Sequence, residues 1–308
     1  MTVLITGASG FVGKRVCRAA EQKGIKVRRA VRRPGADIDP DTAAADLDPG
    51  FDWSGALEGI NAVIHLAGRV HVKNEIEPDP RQEYRRINTR GTINLARQAA
   101  EAGVERFVFI SSMGVHGTCS TRPLTEKDPP EPANPYAESK LEAENGLRRI
   151  EAETGMEAVI IRPPLVWGPD APGNFGRLVR LVQKGLPLPF ALVENKRSMV
   201  AAYNLADLIW TCVDHPAAAG QTFLVSDGID LSTPELIRKI GTALGRPARL
   251  FPVPVILLKA FGIISGYSRE VERLTTTMRA DITHTCRALG WRPTADSDAG
   301  ITEAAGKR

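Results

Sequence analysis

The stretch TVLITGASGFVG at residues 2–13 decides the fold class of this chain. It opens with an apolar run typical of a buried strand, and Gly7, Gly10 and Gly13 follow at regular spacing. Glycine permits a tight turn, lets the backbone approach a phosphate, and lets a helix pack closely on a strand. The helix that starts after the turn offers unpaired N–H groups and a positive dipole end. The stretch therefore predicts a strand–turn–helix unit that binds a pyrophosphate, rather than a glycine turn without a ligand.

Strand-like and helix-like segments alternate through the first half of the chain. The first helix is expected to end near Gln22, and further helices are predicted at about 80–101 and 134–154. Apolar strands are predicted at 25–34, 61–67, 106–112 and 158–163. Continuous apolar strands in such an alternation predict a parallel sheet with helices on both faces. We therefore expect an α/β fold, a Rossmann-type doubly wound sheet with a smaller C-terminal substrate-binding lobe.

The alternation is lost after residue 163, where prolines become more frequent, although TFLVSD at 222–227 predicts one more buried strand. The predicted domains are a dinucleotide-binding domain over 1–163, to which 201–228 returns, and a substrate-binding lobe made of 164–200 and 229–308.

Composition and charge exclude several classes of protein. The 308 residues are 43% hydrophobic and 25% charged, which argues against disorder. The net charge of +4 is small, and beyond one strand end the chain shows no basic stripe of the kind that binds nucleic acid. Its four cysteines are scattered without a CxxC pair, which favours reduced thiols over disulfides or a metal site.

The sequence also predicts a cytoplasmic protein without a membrane partner. The chain enters its first strand at Thr2 with no signal-peptide pattern. No apolar run reaches the roughly 18 residues that a membrane span needs. The segment VPVILLKAFGIISGY at 253–267 comes closest, but Lys259 interrupts it.

Further motifs follow the glycine turn in a fixed order. They are HLAG (65–68), INTRGTINL (87–95), Ser111–Ser112 at a strand end, YAESKLEAE (136–144), IRPPLVWGP (161–169) and DITHTCRALGWRP (281–293). With the GxxGxxG spacing, this order resembles the extended short-chain dehydrogenase/reductase superfamily, and within it the NAD-dependent epimerase/dehydratase family. The resemblance covers nearly the whole chain. Gly68 departs from the second alanine usual there, and His116 from a tyrosine frequent in sugar epimerases.

The resemblance implies a catalytic set of Ser112, Tyr136 and Lys140. Tyr136 and Lys140 are four residues apart, so a helix places them on one face. A tyrosine with its ordinary pKa of about 10 is a poor base at pH 7. The Lys140 ammonium and an oxidised nicotinamide are expected to lower the pKa of Tyr136, while Ser112 holds the substrate oxygen. Taken alone, the Tyr136–Lys140 pair would be an ordinary surface pair.

The resemblance also implies a set of cofactor-binding residues. They are Gly7, Ser9, Gly10, Phe11, Val12, Gly13, Arg32, Arg33, Asp46, Leu47, Leu66, Ala67, Gly68, Asn88, Ser111, Tyr136, Lys140 and Pro163. Asp46 and Leu47 are expected near the adenine. His65 is interpreted as a packed core histidine.

Arginines at the end of the second predicted strand bear on the choice of cofactor. The segment IKVRRAVRRP at 25–34 contains no acid between residues 27 and 34. An acid there accepts a hydrogen bond from the NAD ribose, whereas arginine suits the 2′-phosphate of NADP. We expect Arg32 and Arg33 to favour NADP(H), and Arg28 and Arg29 to be solvated. NAD(H) is the alternative if Arg32 and Arg33 are also merely solvated.

Several segments are similar to bacterial UDP-sugar enzymes that act at C4 of a hexose. The resemblance implies that Ser112, Met113, Asn174, Arg197 and Arg273 contact the substrate, with Arg197 on its diphosphate. Two reactions stay open, 4-epimerisation of a UDP-hexose and reduction of a UDP-4-keto-6-deoxy sugar, both in the synthesis of surface polysaccharide. A dehydratase is disfavoured because Met113 and Gly114 follow Ser112, where dehydratases need an Asp–Glu pair.

Two other classes of function were weighed against this interpretation. A reductase of a neutral ketone, of the hydroxysteroid or flavonoid type, would have no use for Asn174 and Arg197 as diphosphate contacts. A non-enzymatic NADP-sensing regulator would commonly lack the YxxxK pair. Trp167 is the tryptophan best placed to approach a substrate, and the stretches 84–101 and 136–153 are candidates for a four-helix homodimer interface.

Overall fold

The computed structural model describes residues 1–32, 41–70, 79–294 and 300–302. Within them, ten strands run in chain order as β1 (Thr2–Thr6), β2 (Lys26–Val31), β3 (Thr42–Ala44), β4 (Ala62–His65), β5 (Arg106–Ile110), β6 (Glu157–Arg162), β7 (Leu165–Trp167), β8 (Arg197–Ala201), β9 (Thr222–Leu224) and β10 (Asp230–Leu231). Seven form a parallel sheet in the order β3-β2-β1-β4-β5-β6-β9, and the others form a small sheet in the order β10-β8-β7. The predicted doubly wound α/β fold is confirmed.

Eleven α-helices connect these strands in the described residues. They are α1 (Phe11–Lys23), α2 (Ser54–Leu57), α3 (Pro80–Tyr84), α4 (Thr92–Glu101), α5 (Pro135–Thr154), α6 (Gly173–Gln183), α7 (Ala202–Asp214), α8 (Thr233–Ala243), α9 (Val255–Ser265), α10 (Ser268–Thr275) and α11 (Thr283–Leu289). A π-helical turn at Arg85–Gly91 separates α3 from α4, so the single helix predicted over 80–101 is interrupted. Gly91 lies in that turn against the Leu47 carbonyl, where a Cβ would come within 2.1 Å of the oxygen.

The central sheet is buried on both faces. Val3 and Ile5 of β1 pack with residues of α1 and α7, whereas Leu4 points to the other face and packs with residues of α4 and α5. This alternation follows from the period of two in a strand. It explains why β1 is continuously apolar, and it places a helical layer on each side.

The parallel register brings the carboxyl ends of neighbouring strands to one edge of the sheet. Thr6 pairs with Ala30 of β2 and with His65 of β4. The His65 ring contacts the hydroxyls of Thr6 at 2.7 Å and Thr92 at 2.9 Å, and burial lowers its pKa to about 3. His65 is therefore a neutral core residue, as predicted. The glycine turn after β1, Arg32 after β2 and the loop after β4 lie at this edge.

The C-terminal part of the chain builds a separate apolar cluster. It includes Phe175 and Val179 of α6, Ile237 of α8 and Leu258 of α9, next to the small sheet. Within the segment 201–228, α7 joins the core against α1 and β9 pairs with β6 of the central sheet. The division of the chain into two domains stays a prediction.

Candidate active site

The glycine turn lies where β1 meets α1. Gly7 has a φ of +68°, and a Cβ there would come within 2.8 Å of the Ala67 nitrogen. A Cβ on Gly13 would come within 2.1 Å of the Gly7 carbonyl oxygen, so both positions require glycine. Gly10 caps α1 with no side-chain hydrogen bond, and the first turn carries no acid. Within the described part of the chain no side chain competes for these N–H groups, and the turn fits the pyrophosphate of a dinucleotide.

The other residues predicted to bind the cofactor at the turn are Ser9, Phe11 and Val12. Ser9 is exposed, and Val12 packs on the apolar cluster between the central sheet, α1 and α7. The Phe11 ring faces the predicted lobe, because a Cβ on Gly168 would lie 3.3 Å from it.

The loop after β4 contains Leu66, Ala67 and Gly68 and is held by Asn88. The Asn88 amide accepts from the Arg69 nitrogen at 2.7 Å and donates to the Arg69 carbonyl at 3.0 Å and to the Ser139 hydroxyl at 3.1 Å. A Cβ on Gly68 would lie 3.1 Å from the Asn88 oxygen and 3.5 Å from the Lys140 ammonium. Asn88 thus positions the loop against α5, and Gly68 leaves room for this contact.

The arginines of β2 divide into two groups. Arg28 donates to the carbonyls of Ala56 at 3.0 Å and Glu58 at 2.7 Å, and Arg29 pairs with Glu21 at 3.1 Å. Each therefore has a partner on a neighbouring element while staying partly exposed, so the expectation of solvated side chains holds only in part. Arg32 is exposed just after β2, at the same edge as the glycine turn. Arg33 lies outside the described residues.

Asp46 and Leu47 follow β3 at the same edge of the sheet. Asp46 is exposed and accepts from the Asp48 nitrogen at 3.2 Å. The Leu47 carbonyl faces Gly91 of the π-helical turn. Their predicted position beside an adenine stays a prediction.

Ser112 and Tyr136 lie close together near the carboxyl end of β5. Ser112 begins a short 3-10 turn, and its hydroxyl accepts from the Gly114 nitrogen at 3.0 Å. Tyr136 lies in the first turn of α5, which Asn134 caps by accepting from the Ala137 nitrogen at 3.0 Å. A hydrogen bond between Ser112 and Tyr136 favours the phenolate, but burial is the larger effect and raises the pKa of Tyr136 to about 12.

Lys140 lies one helical turn after Tyr136. Its ammonium donates to the Ile110 carbonyl at 2.8 Å and lies 4.5 Å from the centre of the Phe109 ring. Burial lowers the pKa of Lys140 to about 8, and the Glu144 carboxylate opposes this shift. The lowering of the Tyr136 pKa by Lys140 together with an oxidised nicotinamide stays a prediction.

A buried polar network around Glu144 lies near Lys140. Glu144 accepts from the Ser111 hydroxyl and from the Arg162 guanidinium, which also contacts His116 Nε2 at 3.0 Å. All four residues are buried, and burial beside Arg162 lowers the pKa of His116. The side chain of Ser111 is thus engaged with Glu144, and its predicted cofactor contact stays a prediction.

Sequence reasoning missed Glu144, although it lies within YAESKLEAE, four residues after Lys140. The spacing was a signal for its role, because residues four apart on a helix are neighbours and a buried carboxylate needs polar partners.

A cavity of about 230 Å³ opens beside Tyr136. It is lined by the five predicted substrate residues Ser112, Met113, Asn174, Arg197 and Arg273, by Pro163, and by Thr118, Asn134, Ser232 and Thr233, which the sequence did not suggest. Trp167 is not in this lining. Its indole N–H donates to Asp227 at 2.6 Å in the interior of the lobe, so the expectation that it approaches a substrate is wrong.

Two arginines give the cavity a strong positive charge. Arg197 of β8 donates to the Thr276 carbonyl at 3.2 Å and to its hydroxyl at 3.1 Å. Burial, followed by the charge of Arg273, lowers the pKa of Arg197. Arg273 comes from α10, and its charge also favours the Tyr136 phenolate. Like charges at a partly buried site are costly by themselves and suit a bound anion.

The site therefore joins a glycine turn that fits a dinucleotide to a tyrosine–serine pair and a cavity lined by two arginines. Among the described residues, no group of three or more His, Cys, Asp or Glu could hold a metal ion. The fold and these residues are typical of a Rossmann-type enzyme that binds a nicotinamide dinucleotide. Residues 3–226 match the NAD dependent epimerase/dehydratase family, and the chain belongs to that family, which confirms the resemblance to extended short-chain dehydrogenases/reductases.

Known proteins similar to this chain include sugar epimerases. A UDP-glucose 4-epimerase of Vibrio cholerae is 42% identical over 99% of this chain and 94% of its own length. An N-acetyl-alpha-D-glucosaminyl-diphospho-ditrans,octacis-undecaprenol 4-epimerase of Escherichia coli O157:H7 is 27% identical over 87% of this chain and 79% of its own. The solved structure of MoeE5 with UDP-glucose and NAD shares the fold, with a TM-score of 0.81 and 23% identity over 99% of this chain and 98% of that one.

Proposed function

We propose that this enzyme acts at C4 of a UDP-sugar, either by 4-epimerisation of a UDP-hexose or by reduction of a UDP-4-keto-6-deoxy sugar, with 4-epimerisation as the reaction best supported. The observation that carries the proposal is one cavity containing the Ser112–Tyr136 pair and two arginines. The identity with a UDP-glucose 4-epimerase over nearly the full length supports it. A role in surface-polysaccharide synthesis belongs to the same proposal.

Arg197 and Arg273 would bind the diphosphate and so place the sugar ring in the cavity. Charged hydrogen bonds of this kind contribute about 1.5–3 kcal/mol each. Asn174, at the start of α6 and in the lining of the cavity, would contact the diphosphate or the uracil of the substrate. With the diphosphate fixed at the arginines, C4 can approach the Tyr136 hydroxyl.

Tyr136 would remove the proton from the C4 hydroxyl, and Ser112 would hold the same oxygen. A bound nicotinamide supplies the hydride acceptor, and its positive charge would favour the phenolate. Lys140 lies near Gly68 and the Ile110 carbonyl, on the side of the glycine turn, where its ammonium would hold the cofactor ribose and add to that field. General acid–base catalysis of this kind contributes about 10²–10⁴-fold to rate.

For epimerisation, Tyr136 must then return a proton after the keto sugar has presented its other face. The cavity has to permit this rotation about the diphosphate, and the apolar side chains of Met113, Leu178 and Leu236 form part of its lining. Reduction of a 4-keto sugar would use the same residues once. Arg32 favours this second candidate to the extent that it selects NADP(H), since a reductase consumes NADPH at each turnover.

One experiment separates the candidates. The purified protein is incubated with UDP-glucose, UDP-N-acetylglucosamine or a UDP-4-keto-6-deoxyhexose, with NAD⁺ or NADPH, and the products are followed by chromatography and NMR. Conversion to the 4-epimer without net change in cofactor supports the epimerase, and stoichiometric oxidation of NADPH supports the reductase. Absence of turnover, together with absence of UDP binding by calorimetry, would overturn the nucleotide-sugar proposal.

A further inference from the structure

The apolar segment at 253–267 forms a helix whose outer face is exposed. Helix α9 buries Leu258 and Gly262, and a Cβ on Gly262 would come within 2.9 Å of the Val271 side chain of α10. The opposite side presents Ile264, Ile256 and Ile263 with exposed fractions of 86%, 75% and 72%. At about 100° per residue, the exposed residues Ile256, Leu257, Ala260, Phe261, Ile263 and Ile264 cover one continuous face, with Lys259 at its edge.

This face is larger than ordinary surface hydrophobicity explains. Phe251, just before α9, and Tyr267, just after it, are also exposed, so seven large apolar or aromatic side chains lie on one segment of 17 residues. Single exposed apolar residues are normal on proteins, whereas a continuous patch marks an interaction surface. None of the described helices is long and apolar enough to cross a membrane, so α9 cannot act as a span.

The sequence before and through α9 is basic. From Leu236 to Arg269 the sequence contains no Asp or Glu, and it contains the bases Arg238, Lys239, Arg246, Arg249, Lys259 and Arg269. These six exceed the net charge of +4 of the whole chain. The next carboxylate, Glu270, is 4.0 Å from Arg177 and is partly neutralised by it. A helix with an apolar outer face, Lys259 at the edge of that face and a basic flanking sequence complements a surface that is apolar inside and anionic outside.

We propose that α9 docks this enzyme on an anionic phospholipid surface, as a helix lying in the plane of the interface. Ile256, Phe261, Ile263 and Ile264 would enter the acyl boundary, and Tyr267 would lie at the level of the headgroups, where aromatic side chains are enriched. Lys259 would extend its ammonium to the lipid phosphates. The expectation of no membrane partner rests on the absence of a span, and a surface helix does not need one. Since α10 packs on α9 and carries Arg273, the docked face is one helix away from the substrate cavity.

The test is co-sedimentation of the full chain with vesicles. Vesicles of phosphatidylcholine with 30% phosphatidylglycerol should bind the protein at low salt, vesicles of phosphatidylcholine alone should bind less, and salt should weaken the binding. Ile264→Glu should lower the partition coefficient by about tenfold or more, because an apolar contact becomes a charge facing anionic lipid. Ile229→Glu is the matched control, since Ile229 is 47% exposed on a different segment and should leave binding unchanged.

Folding and self-association are checked on the same samples. Equal melting temperatures for Ile264→Glu and wild type would show that the change acts at the surface. If wild type fails to sediment with anionic vesicles, or if Ile264→Glu sediments as well as wild type, the proposal is wrong. If sedimentation analysis shows a dimer that Ile264→Glu dissociates, while vesicles bind neither form, then a second copy of this chain covers the face and the lipid proposal is overturned.

Discussion

The two halves of the site are built in different ways. The nucleotide side is made by one local stretch, β1 with its glycine turn and α1, and by loops that a parallel sheet necessarily brings to one edge. The substrate side gathers side chains from distant segments, such as Asn174 of α6, Arg197 of β8 and Arg273 of α10. The comparison teaches that backbone geometry defines the cofactor site, whereas side-chain charge defines the substrate site. Substitutions in each half should therefore fail in different ways.

The largest effect is expected where the two halves meet. Tyr136→Phe should lower turnover by at least about 10²-fold while binding of cofactor and UDP is retained, because only the proton-transferring hydroxyl is lost. Steady-state kinetics and calorimetry on the same preparation measure both. Tyr203→Phe, at an exposed tyrosine of α7, serves as the control. Turnover near the wild-type rate in Tyr136→Phe would remove the catalytic assignment.

Gly13→Ala should break the nucleotide half alone. The new Cβ would lie 2.1 Å from the Gly7 carbonyl oxygen, so the turn must shift and its N–H groups lose their alignment. Overpacking of this kind costs about 1–3 kcal/mol, and we expect a lower melting temperature and cofactor affinity weaker by about tenfold or more. Gly55→Ala is the control, since a Cβ there meets nothing within 4 Å. Unchanged cofactor binding in Gly13→Ala would show that the turn does not hold the dinucleotide.

Arg197→Ala should break the substrate half alone. Losing one charge-assisted contact to a diphosphate should weaken binding of UDP and of the UDP-sugar by about 10–100-fold, while cofactor affinity stays constant. Calorimetry with free UDP tests this without turnover. Arg18→Ala, at an exposed position of α1, should change neither affinity. Equal UDP affinity in Arg197→Ala and wild type would place the diphosphate elsewhere.

The same comparison explains what the sequence could and could not predict. The glycine turn, Tyr136, Lys140 and the order of the strands are local or follow from periodicity, so they could be read directly. The pairing of Arg28 with carbonyls of a neighbouring helix, the turn of Trp167 toward Asp227, and the network of Ser111, Glu144 and Arg162 depend on tertiary contacts between segments far apart in the chain. For the cavity of the lobe, the family resemblance named single residues, but that they line one cavity depends on how α6, β8 and α10 pack together.

Glu144→Gln should shift the pH dependence of activity, because Glu144 acts on Lys140. The carboxylate favours the charged form of Lys140, whose pKa lies near 8, below its ordinary 10.5. If activity requires the ammonium, activity should fall as pH rises through about 8, and Glu144→Gln should move this alkaline limb to lower pH. Because the variant also leaves Arg162 without its partner, thermal stability is measured in parallel. Glu142→Gln, at a half-exposed partner of Arg85, should leave the limb in place. An unchanged limb in Glu144→Gln would mean that another group titrates.

The smallest effect is expected at the edge of the nucleotide half, where side-chain charge replaces backbone geometry. Arg32 is exposed at the end of β2, and Arg28 and Arg29 are engaged elsewhere, so among the described arginines of this strand only Arg32 could contact a 2′-phosphate. Solvent screening at an exposed site limits the preference for NADPH over NADH to about tenfold. Arg32→Asp combined with Arg33→Ala should reverse it, because an acid can accept from the 2′-hydroxyl of NAD. Binding is measured by fluorescence titration of both cofactors, with Arg18→Ala as the control. If wild type binds NADH as tightly as NADPH, the strand-end arginines are solvated, and the balance moves from a reductase that consumes NADPH to an epimerase that retains NAD.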